Sequence, residues 1–201
     1  MKSLSSTALI ALLAIALLPF SACRKGPDDP VISLRSRTAR LTGVWKLAND
    51  EITTTTVRDG VVSKKVVSSF DGAFRIVVTT TYDGAGNPSI TSNKYASSIT
   101  WAINKDHTLK LENIVDGDSY VREGTWVWLE GNEKDLKDKE AVQFTITKYI
   151  FGGTSVSTSG PSGSVFVISR LANNELVVDM SNTTTSTNFT ETVTGKQTFK
   201  Q

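Results

Sequence analysis

Ile99-Thr100-Trp101-Ala102-Ile103-Asn104-Lys105-Asp106-His107-Thr108-Leu109-Lys110-Leu111 alternates apolar and polar residues on either side of a polar tetrapeptide. Successive side chains of a strand point to opposite faces, so Ile99, Trp101 and Ile103 share one face and Leu109 and Leu111 share another. Between them, Asn104-Lys105-Asp106-His107 supplies side chains that fold back onto their own backbone, and the whole reads as two antiparallel strands joined by a tight turn. One face is dry and one is wet, which is how an antiparallel sheet covers a core on one side.

Working outward, the same period of two recurs. Phe74, Ile76 and Val78 share a parity, as do Tyr120, Trp126 and Trp128, then Val142, Phe144, Ile146 and Ile150. Phe166 with Ile168, then Leu176, Val178 and Met180, then Phe189, Val193 and Phe199 complete the series, and each set is expected to face the core. Arg122 falls on the parity of Tyr120 and Trp126 and reads as the point where that strand leaves the core. Asp59-Gly60, Asp71-Gly72, Asp83 to Pro88, Asp116-Gly117-Asp118 and Ala172-Asn173-Asn174 carry turn chemistry between the runs. Two longer breaks, a charged one over 130–140 and a Gly/Ser one over 152–163, read as loops. Thr and Val dominate, as in Thr53-Thr54-Thr55-Thr56, and branching at Cβ suits a pleated surface. Helical spacing comes nearest over Val31 to Leu41, which is too polar and Arg-rich to sustain a helix.

Reading Leu41 to Thr56 and Val61 to Ser69 together as one bent ribbon, the runs predict an all-β fold: an antiparallel up-and-down barrel of about eight strands. The alternative is a β-sandwich of the same strands. In the barrel, the strand that begins near Trp45 must pair with one from the last third of the chain.

Composition bounds function. The 201 residues, 39% hydrophobic and 21% charged, suit one ordinary domain, and a net charge of +2 with both signs mixed gives no electrostatic case for nucleic acid. One Cys and one His exclude an internal disulfide, a thiolate zinc cluster, and any Ser-His-Asp or Cys-His plan that does not use His107. His107 beside Asp106 reads as an exposed turn. Asp116, Asp118 and Glu123 lack the loop length and closing Glu of an EF-hand, so no metal, cofactor or catalytic residue is expected. Trp101, Trp126 and Trp128 suit either a ligand pocket or the core, and core packing is the simpler reading. Lys134 to Lys139 is a solvated charge run, and the sequons at Asn182 and Asn188 lie on a wet strand face.

The N-terminus gives location. Lys2 precedes eleven unbroken apolar residues, Ala8 to Leu18, too short for the roughly 20 that span a bilayer. Pro19-Phe20-Ser21-Ala22 then leads into Cys23, and this resembles the lipobox of bacterial lipoproteins, with Phe20 where Leu is usual. The resemblance implies a signal peptide over residues 1–22, lipidation of Cys23 with fatty chains such as palmitate, and an outer-membrane location. Residues 23–40, opening with Arg24-Lys25-Gly26-Pro27-Asp28-Asp29-Pro30, read as a polar tether, and 41–201 as the folded domain.

Gly43-Val44-Trp45 at the head of the first strand resembles the Gly-x-Trp signature of lipocalins and their bacterial relatives, in which the Trp plugs the closed barrel end. The later order Ile99 to Leu109, Glu123-Gly124-Thr125-Trp126-Val127-Trp128 and Asn174-Glu175-Leu176-Val177-Val178 is similar to that of small lipocalin-like lipoproteins of Gram-negative bacteria, with His107 where their turn usually has Gly. The resemblance implies a calycin-type barrel and no catalytic residues. It leaves two main expectations: a non-enzymatic, membrane-anchored binder of a small apolar or amphiphilic ligand, or a packed accessory lipoprotein meeting another envelope protein or a glycan. A cavity of roughly 300 Å3 or more, open at one end, favours the first. An envelope hydrolase would need paired carboxylates in a cleft, and the acidic residues here fall mainly in turns.

Overall fold

The computed structural model describes residues 35–129 and 140–201, with the side chains of 158–162 outside the description. The signal segment, Cys23, the start of the tether and the charge run at Lys134 to Lys139 therefore lie outside the described residues.

A five-residue helix, α1 (Arg37–Leu41), precedes ten antiparallel strands: β1 (Gly43–Arg58), β2 (Val61–Phe70), β3 (Phe74–Tyr82), β4 (Pro88–Ile103), β5 (Thr108–Val115), β6 (Asp118–Trp128), β7 (Ala141–Phe151), β8 (Thr154–Leu171), β9 (Glu175–Ser186) and β10 (Phe189–Lys200). Each strand pairs with the next, and β10 closes on β1 with Lys46 opposite Lys200, so the sheet is a closed barrel and not a sandwich. The count is ten where about eight was expected. Asp59 (φ 49°) and Gly60 (φ 79°) turn the chain back sharply, making β1 and β2 two paired strands in place of one bent ribbon. The Gly/Ser stretch adds length too: Gly152 and Gly153, both at positive φ, form a tight turn, and β8 starts directly after it at Thr154.

The two ends of the barrel differ in circumference. At one end β1 also pairs with β4, Gly43 opposite Ile103 through Lys46 opposite Thr100, so the circuit there passes β1, β4, β5 and on to β10. Further up, β2 and β3 are inserted between β1 and β4. Barrel diameter grows with strand number, so the molecule widens away from Gly43.

The narrow end is filled. Trp45, Leu47, Trp101, Ile103, Leu109, Leu111, Trp126, Phe144 and Phe199 are buried in one contiguous cluster. Trp101 is its hub, with ring centroids 5.2 Å from Phe144 and 4.1 Å from Phe199. Each large apolar side chain so buried stabilises the fold by about 1.5–3 kcal/mol.

Beneath this cluster lies α1, where no helix was expected. Ser36 caps it, its Oγ accepting from the Ala39 N–H at 3.1 Å, and the Trp45 indole donates to the Leu41 carbonyl at 2.7 Å. Arg37 and Arg40 are buried there, donating to the Ile168 and Leu171 carbonyls, so the last residues before 41 are folded against the barrel.

Two inward faces differ from the alternation alone. On β3, Phe74 points outward, 42% exposed, with the Lys94 ammonium 4.3 Å from its ring centroid. Arg75 takes the inward place, because the fully buried Asp50 carboxylate requires a cation and finds its guanidinium at 2.6 Å. On β7 the register shifts between Ile146 and Lys148, so Tyr149 and not Ile150 stands beside the inward Arg122.

Candidate ligand-binding site

Above the aromatic floor the barrel holds an open-sided cavity of about 580 Å3. Trp101, Phe144 and Phe166 form its floor, with pairwise centroid distances of 4.9–5.2 Å. Ile99, Leu111, Ile146, Met180 and Val193 supply apolar walls, and Arg122, Ser164, Asn182 and Gln197 the polar points. Apolar walls with a few placed polar groups are the ordinary make-up of a small-molecule site, and the volume lies in the range of about 300–1,000 Å3 typical of such sites.

The room exists because the inward residues change along the same strands. β10 reads inward as Phe199 and Gln197 and then Gly195 and Val193, and β9 as Leu176, Val178, Met180 and then Asn182 and Thr184. Bulk at the narrow end gives way to small or polar residues above it. Where the two regions meet, a polar network lines the wall formed by β10, β1, β2 and β3: Arg75 donates to Asp50 Oδ2 at 2.6 Å and to Ser68 Oγ at 2.8 Å, and Gln197 Nε2 approaches the same Asp50 oxygen at 3.4 Å.

The cavity opens through the wall. The register of β8 with β9 runs from Leu171 opposite Leu176 only as far as Val167 opposite Asp179. Beyond it, β8 pairs with β7, and β9 from Met180 to Ser186 pairs with β10. Ser164, Val165 and Phe166 on one side of the resulting seam and Met180, Ser181 and Asn182 on the other all line the cavity. At the rim, Tyr120 and Phe151 stack with centroids 4.7 Å apart and remain exposed, as do Tyr149 and Val156.

The residues singled out in the sequence fall in different places. Gly43 (φ 148°) starts β1 in a conformation that favours glycine, and Trp45 is fully buried over α1. Trp101 is both core and cavity floor. Trp126 is core only, its indole donating to the Asn104 carbonyl at 2.9 Å, and Trp128 reaches down to α1, donating to Thr38 Oγ1 at 3.0 Å. Gly124 lets β7 approach, since a Cβ there would lie 1.9 Å from the Thr145 carbonyl oxygen.

His107 is exposed, adopts φ 68°, and lays its ring over Trp126 with centroids 4.8 Å apart while Nδ1 donates to the Trp126 carbonyl at 3.1 Å. The left-handed conformation that a glycine would supply freely is held here by those two contacts. Asp106 accepts from the Thr108 hydroxyl and amide, and these bonds, the hydroxyl first, hold its carboxyl below the usual range. Asp116 accepts from the Ala96 amide and Glu123 pairs with Lys148 at 2.9 Å. Among the described residues no three His, Cys, Asp or Glu side chains converge as a metal cluster would require. Asn182, expected on a wet strand face, is exposed and borders the cavity.

Sequence reasoning missed the cavity-facing role of Arg122 and Gln197. The signal for Arg122 was its parity with Trp126, which places it inside the barrel.

No family profile matches this chain, and no curated protein does. Among solved structures the chain is similar to EF1p2_mFAP2b bound to DFHBI, at 9% identity with a TM-score of 0.19, over 79% of this chain and 92% of that one. At that degree of superposition nothing about that protein's ligand is carried over, and the assignment of a closed barrel rests on the strand pairing above.

Proposed function

We propose that this chain is a lipocalin-like, non-enzymatic binding protein of the bacterial cell envelope, anchored through lipidated Cys23, whose barrel holds one small apolar or amphiphilic molecule. The observation that carries the reading is the cavity of about 580 Å3 between an aromatic floor and an exposed aromatic rim. A solidly filled barrel would have favoured an accessory protein acting through its outer surface. Gly43 and the buried Trp45 over α1 are in keeping with the plugged end of a lipocalin-like barrel.

Native mass spectrometry of the protein purified from an envelope extract tests carriage. A reproducible bound mass of a few hundred daltons is expected, and a protein that is consistently empty and fails to take up apolar probes overturns the binding reading. Metabolic labelling with a palmitate probe tests the anchor separately, with label expected on the wild type and absent from Cys23→Ser.

A further inference from the structure

We propose that the guest carries an anionic group on an apolar chain, and that Arg122 selects for that charge. The proposal rests on the binding reading above and narrows it to one chemical class.

Arg122 stands on the inward parity of β6, opposite Leu111 of β5 and Tyr149 of β7, and lines the cavity. Its side chain is exposed, and among the described residues that side chain has neither a hydrogen-bond nor an ion-pair partner. Among the described residues no carboxylate lines the same cavity. The inward cation of β3, Arg75, is by contrast committed to Asp50 and Ser68. An exposed guanidinium beside a recess of mixed apolar and polar lining, with no carboxylate among its described lining residues, can pair with the anionic head of a guest. A planar donor fork is also suited to a carboxylate, sulfate or phosphate head.

Geometry assigns the two parts of the guest. Trp101, Phe144 and Phe166 lie below and accept a hydrocarbon tail, which a free inorganic anion would leave unused. Arg122 stands one inward position above Gly124 and one below Tyr120 of the rim, so a head paired with it stays near the opening. An anionic head at the mouth with its tail on the aromatic floor satisfies both regions at once, and a neutral or cationic head satisfies only the second.

Displacement of the uncharged probe N-phenylnaphthylamine from the full-length protein tests this. The competitors are dodecanoate, dodecanol, dodecyltrimethylammonium and acetate at neutral pH and low salt, below micelle-forming concentrations. Dodecanoate is expected to displace the probe at about one-tenth the concentration dodecanol needs, with the trimethylammonium weakest and acetate inert. Arg122→Gln should bring dodecanoate to the level that dodecanol shows in the same variant, with an unchanged far-UV circular dichroism spectrum showing that the variant is folded, and Arg122→Lys should retain the anionic preference. Equal displacement by the three long-chain competitors, or a preference that survives Arg122→Gln, overturns the role of Arg122 and leaves the cavity reading intact. Displacement by acetate overturns the amphiphile class. Failure of the probe and of every long-chain competitor to bind overturns the cavity reading and this proposal with it.

Discussion

The lower and upper halves of the barrel are built from the same strands, yet one is solid and the other hollow. In β1 the inward residues run Trp45, Leu47 and then, past the bulge at Ala48, Asp50, Ile52, Thr54 and Thr56. In β4 they run, read downward, from Asn93 and Tyr95 to Ile99, Trp101 and Ile103. Alternation is present throughout, so alternation sets which way side chains point and says nothing about whether they meet. Filling depends on inward side-chain volume against circumference. Both change in the same direction here: the wall gains β2 and β3 as the inward residues shrink.

Breaking the solid half has the largest expected effect. Trp126→Ala removes a side chain 1% exposed and should cost about 4 kcal/mol in urea unfolding, because the packed surroundings cannot collapse into the void. At the boundary, Arg75→Met leaves the Asp50 carboxylate buried without its cation and should cost about 3 kcal/mol by the same measurement. Val193→Ala on the cavity wall should cost only about 1 kcal/mol, since it enlarges a space that already exists, and a cost equal to that of Trp126→Ala would show the upper half to be packed after all.

The smallest effect is a surface pair at the narrow end. Lys200, through its hydrogen bond to Glu175, lowers that carboxyl from its usual range, aided by Arg170 at 2.5 Å. A carboxyl depressed in the folded state stabilises above the ordinary glutamate range, and that contribution fades as pH falls through the lowered value. Glu175→Gln should therefore cost no more than about 0.5 kcal/mol near neutral pH and nothing in strong acid, as read from unfolding midpoints across that range.

Much of the fold was legible because the alternation of residues 99–111 and its repeats states the strand direction and the dry face directly. The turns at Asp59-Gly60 and Asp116-Gly117 were equally plain, since few other sequences tolerate positive φ. What escaped the sequence depends on neighbours far along the chain. Phe74 appears the natural core residue of β3 until Asp50, on another strand, draws Arg75 inward. Ile150 shares the parity of Ile146 until Thr147 is taken up by a bulge. Helix α1 is too short to show periodicity, and its buried arginines look like solvent-exposed charges until the Ile168 and Leu171 carbonyls are seen to receive them. Of the candidate site, Trp101 was in view, whereas the opposing walls from β8, β9 and β10 became part of it only through closure.

The partial register between β8 and β9 has a mechanical consequence. A hoop sealed all round can widen only by breaking rungs of its ladder, each worth about 0.5–1.5 kcal/mol. This hoop is cut from its top down to Val167 and Asp179, so its upper half can spread by flexing two strands while every rung below stays intact. On the binding reading proposed above, the size of an admitted guest would be limited by the stiffness of a pair of ribbons, and bulkier guests should leave amide exchange at Leu171 and Leu176 unaltered.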